Sequence, residues 1–358
     1  MSDIRRFLIR TGIFLLIFFL PVCIELFVLP IDFFNFRVWE AVKVTEKYRT
    51  CFPGPFYPDK RISKVEEGDL AHHTDFAVER AVIWKTDPYG FRQSSTADSA
   101  DIVLVGFSNV AGCGNSQEDM LAAQLEKMTG YSVYTYAPSD FSGFIPDRRF
   151  QKRKPKLVIL AAVERNLINL PPITAKVPSF WDSDFRIRWY RSPLYRRAVE
   201  LLDRISKKNM HHYLKARLFG SVRLRVPSLS DSIFFLHGDS ANRRVSESTI
   251  METAEKIAAY RQYFASRGIR FLFAPVPNKE TIYYSLLPSR MSSTFLERLC
   301  QETRRRDVAT VEMKQDFDSV FMSEGPVLYY ADDTHWTPRG VEIASRLISG
   351  KIAEDGSM

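Results

Sequence analysis

The chain has 358 residues, 45% hydrophobic and 26% charged, with 50 Lys and Arg against 42 Asp and Glu for a formal net charge of +8. This composition excludes a disordered or fibrous chain and supports a full apolar core, in one large domain or two small ones. The positive charge points to an anionic partner: nucleic acid, anionic lipid or an acidic polymer.

The first thirty residues narrow that choice. MSDIRRFLIRTGIFLLIFFLPVCIELFVLP places Arg5, Arg6 and Arg10 ahead of a long apolar stretch that is interrupted by Glu25 alone. A membrane helix takes about 20 mostly apolar residues. Residues 11–31 are therefore expected to form one N-terminal transmembrane anchor, after a cytoplasmic basic segment at 1–10. No small-x-small cleavage site follows, which argues against a removed signal peptide. With the basic residues ahead of the span, the main domain is expected outside the inner (cytoplasmic) membrane, facing the periplasm. That placement removes nucleic acid as a partner. Cys23 lies in the expected span, so Cys51, Cys113 and Cys300 allow at most one internal disulfide. No cysteine or histidine spacing resembles a metal site, and the chemistry read below calls for no metal or cofactor.

A lead-in segment is expected over 32–97, and a catalytic domain over 98–354 in which strands and helices alternate. DIVLVGF (101–107) is a short apolar run suited to a buried parallel strand, and SQEDMLAAQLEKMTG (116–130) has helical spacing with Ser116 as a candidate N-cap. YSVYTYA (131–137), PKLVILAAV (155–163), IRFLFAPV (269–276) and VATVEM (308–313) read as further strands. ESTIMETAEKIAAYRQYFASRG (247–268) and STFLERLCQETRRRD (293–307) read as helices, and a last helix is expected from Pro338 with Thr337 as its N-cap. The fold class is α/β, a three-layer sandwich around a mostly parallel sheet.

Active sites of such sheets gather at the carboxyl ends of the strands. There VGFSNVAGCGNS places Ser108 directly after the first strand, between Gly106 and Gly112. A serine in a strand-to-helix turn presents its hydroxyl at the sheet edge beside backbone N–H groups that suit an oxyanion. A serine hydroxyl needs a base, usually a histidine oriented by a carboxylate. YYADDTHWTPRG, near the other end of the chain, supplies one: Asp333 and His335, two apart, project to the same side of an extended loop. The triad read from these residues is Ser108, His335 and Asp333. A structural turn at Ser108 and a polar loop at DDTH are the rival readings.

GFSN, DTHW and LVILAAVERNL together resemble the SGNH hydrolase superfamily, and more narrowly the SGNH-like alginate O-acetyltransferase family of exported polysaccharide acetyltransferases. Asp333 to Trp336 matches that family's Asp-x-His-Trp pattern, Glu164 and Arg165 its Glu-Arg pair, and PVPNKETIYYSLLP its segment in which a lysine and a tyrosine precede Leu-Pro. Residues 54–92 resemble the lead-in of related membrane-anchored proteins. Three departures stand out. Phe107 occupies the superfamily's usual position of an Asp, Ser108 precedes the Asp-His pair, which is the usual superfamily order but the reverse of that in the alginate enzymes, and no Gly-x-Asn-Asp block is present. Asp332 fits the superfamily's Asp-x-x-His spacing, so either aspartate can orient His335; the DTHW match favours Asp333. With the Gly-x-Asn-Asp block missing, Asn109, Arg165, Asn166 and backbone groups near Gly143 are the candidates for oxyanion or substrate contacts.

The part at about 170–245 is unmatched and reads as a basic insert. Between Arg186 and Arg225 it holds twelve Lys and Arg against Glu200 and Asp203, with aromatics interleaved. Such a surface suits an anionic polysaccharide, with Arg188, Arg191, Arg196 and the distant Trp336 as candidate acceptor contacts, or equally an anionic phospholipid surface. The resemblance implies an O-acetyltransferase that acts on an exported or cell-surface polysaccharide through an acyl-enzyme. It also implies a multi-spanning membrane partner that passes acyl groups outward. An esterase or deacetylase of the same fold, or a catalytically silent scaffold subunit, fits the same residues.

Overall fold

The computed structural model describes residues 3–72, 74–93, 100–173, 178–219 and 233–354. The boundary expected at 97/98 and the stretch of the insert that carries Arg223 and Arg225 lie outside the described residues. Helix α1 (Asp3–Phe27) takes up the N-terminal apolar stretch and contains Pro21. No single described helix is long and apolar enough to cross a membrane. Its two parts, Asp3–Ile17 and Phe19–Phe27, pass that test together by length and composition and meet at 44°. Proline has no N–H to give to the carbonyl four residues back, which here belongs to Ile17, so the bend falls where the ladder is broken. The helix ends at Phe27 and not at residue 31.

The lead-in folds against the main α/β domain. It contains α2 (Val38–Val42) and an antiparallel pair, β1 (Arg61–Glu66) and β2 (Arg80–Lys85), with Ile62 opposite Trp84 and Lys64 opposite Val82. Ile62, Val82 and Trp84 are buried by α2 and the main core. Arg80 starts β2, and Arg92, bridged to Thr86 just after the hairpin, follows it; both reach the candidate site described below.

The main α/β domain then follows as β3 (Ile102–Gly106), α3 (Leu121–Thr129), β4 (Val133–Tyr136), α4 (Phe141–Phe144), α5 (Arg148–Lys152), β5 (Leu157–Ala161) and α6 (Glu164–Leu167). The insert supplies α7 (Asp184–Tyr190), α8 (Pro193–Lys207) and α9 (Asn209–Phe219). After it come α10 (Glu247–Ala265), β6 (Arg270–Phe273), α11 (Lys279–Ile282), α12 (Phe295–Arg304), α13 (Met313–Glu324) and α14 (Pro338–Glu354).

The sheet is parallel throughout, in the order β4-β3-β5-β6. Both faces of β3 and β5 are covered. Ile102, Leu104, Leu157 and Ile159 pack with Leu125 of α3 and Val341 of α14; Val103, Val105, Val158 and Leu160 pack with Tyr260 of α10 and Leu299 of α12. Continuous apolar runs with every residue buried are what a parallel strand between two helix layers requires. The α/β sandwich is thus observed.

Two expectations change. Residues 308–313 do not form a strand. Phe273 N–H bonds to Ala309 O at 2.9 Å and Val311 N–H to Phe273 O at 2.8 Å, a single parallel bridge, before α13 starts at Met313. The helix expected from 116 starts at Leu121, because Ser116 Oγ and Gln117 Oε1 accept the N–H groups of Ile83 and Lys85 on β2, at 3.0 and 3.1 Å. All four cysteines are free.

Candidate active site

Ser108 leaves the carboxyl end of β3 in a turn, where Cys113 N–H donates to Ser108 O at 3.1 Å. Its hydroxyl makes no hydrogen bond among the described residues, and its side chain is half-buried. The turn is held from the lead-in. Arg92, fully buried, donates to the carbonyls of Ala111, Gly112 and Asn115 and to Ile83 O, and stacks 3.9 Å from the Trp84 ring.

The loop of residues 329–336 is pinned at its base, where Tyr330 N–H donates to His335 O at 3.1 Å and Thr337 N–H to Leu328 O at 3.0 Å. Thr337 Oγ1 accepts Gly340 N–H at 3.2 Å, the N-cap expected for α14. Within this loop His335 Nδ1–H donates to Asp333 Oδ1 at 2.5 Å, and the backbone N–H of His335 donates to the same oxygen at 3.0 Å. Asp332 does something else. It accepts Gly68 N–H at 2.8 Å, Val78 N–H at 2.9 Å and Arg80 Nη1 at 3.0 Å. A Cβ on Gly68 would lie 2.1 Å from Asp332 O, so this approach admits only glycine.

Two loops far apart in sequence meet at Asn109. Its Oδ1 accepts Trp336 N–H at 3.3 Å, and Asn115 Nδ2 donates to Trp336 O at 2.9 Å. The residue after Ser108 is thereby bonded to the residue after His335. Asn109 Nδ2 and His335 Nε2 are two of several buried side-chain atoms that find no hydrogen-bond partner among the described residues. A buried donor beside the Ser108 turn and a ring nitrogen of His335 are thus both open to a further hydrogen bond.

The electrostatics keep Asp333 ionised. Burial pushes its carboxyl up, but the charges of His335, Arg80 and Arg37 together overcome this and hold it well below the usual carboxylate range. Asp69, from the lead-in, adds a second carboxyl. It accepts Thr334 N–H and Thr334 Oγ1–H, each at 3.1 Å, and is raised to about 6 by burial and then by the Asp333 charge. Asp69, Asp333 and His335 bring one ligand atom each within 4.8 Å of one another. Both oxygens of Asp333 are already filled by N–H donors from His335, Arg80 and Asp69, so this grouping is organised as a hydrogen-bond network and not as an open ligand set.

The loop is also held from α11. Lys279 Nζ donates to the carbonyls of Tyr330, Ala331 and Asp333 at 2.7, 2.9 and 3.1 Å, and burial lowers the lysine to about 8. Four residues on, Tyr283 Oη accepts Leu328 and Tyr329 N–H at 2.8 and 3.1 Å. These are the lysine and tyrosine of the family-like segment. Sequence reading missed Arg80, Arg92 and Asp69, whose partners lie outside their own neighbourhood.

The other candidates divide. Gly143 lines a pocket of about 330 Å3 together with Phe107, Ser139, Ser142 and Arg49. Arg165 Nη1 donates to Asn278 Oδ1 at 3.2 Å, and Asn166 is half-buried with no side-chain hydrogen bond among the described residues. Trp336 must be corrected: at 1% exposure it packs against Phe317, with ring centroids 5.7 Å apart, and offers no face to a sugar. Arg196 is paired with Asp59 at 2.9 Å. Arg188 and Arg191 line a second pocket of about 520 Å3 with Trp181 and Arg149, which shares Phe180 with the first.

Residues 230–357 match the family model described as ALGX, SGNH hydrolase-like domain, acetyltransferase AlgX. The resemblance carried by the DTHW block is thus found independently. The matched part holds Lys279, Asp333 and His335 and does not reach Ser108. No curated protein matches the chain. Among solved structures, the lipase/acylhydrolase from Enterococcus faecalis is similar at 10% identity, over 71% of this chain and 95% of its own, with a TM-score of 0.35. A GDSL-like lipase from Parabacteroides merdae is similar at 9% identity, over 71% and 97% of the two chains, with a TM-score of 0.35.

Proposed function

We propose that this chain is a membrane-anchored SGNH-like acyltransferase that O-acetylates an exported or cell-surface polysaccharide. The observation that carries the reading is the convergence of the Ser108 turn on the Asp333–His335 pair through Asn109 and Trp336. The acetyltransferase description of the family matched by residues 230–357 supports it.

In this mechanism Ser108 Oγ attacks the carbonyl carbon of an acyl donor while His335 Nε2 takes its proton. Asp333 fixes the tautomer that leaves Nε2 free and stabilises the imidazolium. The oxyanion forms beside Asn109 Nδ2 and the backbone N–H groups of the turn. Collapse expels the donor's leaving group, which receives the proton from His335, and leaves an ester on Ser108. A sugar hydroxyl then attacks this ester, His335 again takes the proton, and collapse returns it to Ser108 with release of the acetylated sugar. Catalytic hydrogen bonds commonly close only around bound substrate, so a Ser108 hydroxyl that is free to turn toward His335 suits this role.

The pocket beside Phe107, Ser139 and Gly143 is assigned to the acceptor, with Arg188 and Arg191 across Phe180 meeting its anionic groups. The apolar α1 anchors the chain in the inner membrane with the catalytic domain in the periplasm, and a multi-spanning partner supplies the acyl group. Incubation with a chromogenic acetyl ester, with and without an oligosaccharide acceptor, tests the reading. Acetylated sugar is expected. Release of acetate alone, unchanged by any acceptor, means an esterase; no turnover means a scaffold.

A further inference from the structure

Helix α8 is built inside out. At 100° per residue, Leu194, Ala198, Leu202 and Ile205 fall within one stripe about 100° wide, and this stripe faces outward. Leu194 is 83% exposed, Leu202 53% and Ile205 49%, and Ala198 is exposed with them. Three of its charged residues point the other way. Glu200 is buried against Lys60 at 2.9 Å, Asp203 accepts the Tyr57 hydroxyl at 2.7 Å, and Arg204 donates to the carbonyls of Leu26 and Glu25 at 3.1 and 2.7 Å. A helix on a water-facing surface has the opposite arrangement, because exposed apolar area costs about 25 cal/mol per Å2.

The helices before and after α8 in the chain also carry exposed apolar residues, and Trp189 of α7 meets Tyr195 of α8 with ring centroids 6.4 Å apart. Phe185 and Trp189 of α7 are 68% and 49% exposed, and Leu214 and Leu218 of α9 are 47% and 74% exposed. Exposed cations border it: Arg197 and Lys208 around α8, Lys215 and Arg217 on α9. The bonds from Arg204 seat α8 on the C-terminal end of α1, where Phe27 and Val28 are themselves 66% and 72% exposed. Soluble monomers rarely leave an apolar surface of this extent open.

We propose that α7, α8 and α9 form a docking surface for an anionic phospholipid bilayer, with the apolar stripe of α8 in the headgroup boundary and the cations on lipid phosphates. This rests on the reading of α1 as a membrane anchor, since α1 brings the surface to the bilayer. Basic residues flanking an apolar helix face are the pattern of an interfacial helix, which sits about 5–10 Å into the headgroup and acyl boundary. A sugar polymer is the poorer occupant of this stripe. Sugars stack on ring faces, whereas the outward apolar residues of α8 and α9, Leu194, Leu202, Ile205, Leu214 and Leu218, are aliphatic.

The test uses the full chain carrying Leu202→Trp, reconstituted in phosphatidylcholine vesicles with and without phosphatidylglycerol, in which the acyl chains are brominated close to the headgroup. The added tryptophan emission is expected to be quenched, more strongly with phosphatidylglycerol, and shielded from iodide in the water. Adding Leu194→Glu and Ile205→Glu, which point outward and so leave the melting temperature unchanged, should abolish the quenching. Emission that is unquenched by the lipid and open to iodide overturns the proposal. So does shielding by a soluble polyuronate, or by dimerisation in detergent, in place of lipid. An alkaline carbonate wash separates this from the anchor reading. Release of the chain by the wash sinks the anchor alone, and quenching by added brominated vesicles still decides the docking surface.

Discussion

Arg80 Nη2 lies 2.7 Å from Asp333 Oδ2, in an ion pair between residues 253 positions apart. The same guanidinium reaches Asp332 through Nη1 and stacks 4.0 Å from the Tyr330 ring. One arginine from the lead-in hairpin thus neutralises two adjacent aspartates that are 0% and 1% exposed.

Replacing it leaves those carboxylates buried without a cation. Loss of one partner from a buried ion pair costs about 3–5 kcal/mol, so Arg80→Gln should lower the unfolding free energy by that order in a urea titration. Arg80→Lys should recover part of the stability through charge, and less of the activity, because one ammonium cannot bridge both carboxylates.

The two aspartates should separate by what they change. Asp333→Asn keeps the loop's size but presents the wrong hydrogen-bonding partner to Nδ1, and beside some loss of stability from its pair with Arg80 a drop of about 10^4 in kcat per folded molecule is expected. Asp332 bonds to Gly68, Val78 and Arg80 and not to the imidazole. Asp332→Asn should therefore lower the melting temperature while kcat per folded molecule stays near wild type. Steady-state kinetics beside thermal melts on both variants measures this.

Lys279 fills three carbonyl acceptors of the same loop with one ammonium. Leaving buried acceptors unsatisfied costs about 1–3 kcal/mol each. Lys279→Met should destabilise by at least that amount in denaturant, and the loss in kcat should exceed the loss in folded protein, because the loop carries His335.

How much of this was legible follows from where each signal resides. β3, β4, β5 and β6 announce themselves because a parallel strand between two helix layers is apolar at nearly every position. Residues 308–311 carry the same apolar pattern but meet the sheet through one bridge, a matter of where the chain turns and not of composition. Asp333, His335 and the N-cap Thr337 were readable because their interactions are local. Arg80, Arg92 and Asp69 were not, since their meaning is set by partners that only folding brings near. Trp336 read as a sugar platform because the sequence shows an aromatic but not that Phe317 and Asn109 bury it. On α8 the charged residues were visible; that they turn inward was not.

Glu164, fully buried, accepts Asn278 N–H and the hydroxyls of Thr281 and Ser293, and burial raises it to about 7 from an ordinary 4.5. A carboxyl raised in the folded state contributes stability that is complete below its unfolded pKa and is lost as pH rises through the folded one. Wild type should thus lose on the order of 3 kcal/mol relative to Glu164→Gln between about pH 4.5 and 7. Unfolding free energies of both chains across that interval check it, and parallel curves would contradict it.

The central claim is that Ser108 carries the acyl group. The direct measurement is an acid quench after brief exposure to an acetyl ester, followed by mass analysis of the peptide that contains Ser108. An acetyl group on Ser108 is expected in the wild-type chain. It should be greatly reduced in His335→Ala, absent in Ser108→Ala, and discharged when an oligosaccharide acceptor is added. If Ser108 is never acetylated and the Ser108→Ala chain still acetylates polysaccharide, the account is contradicted.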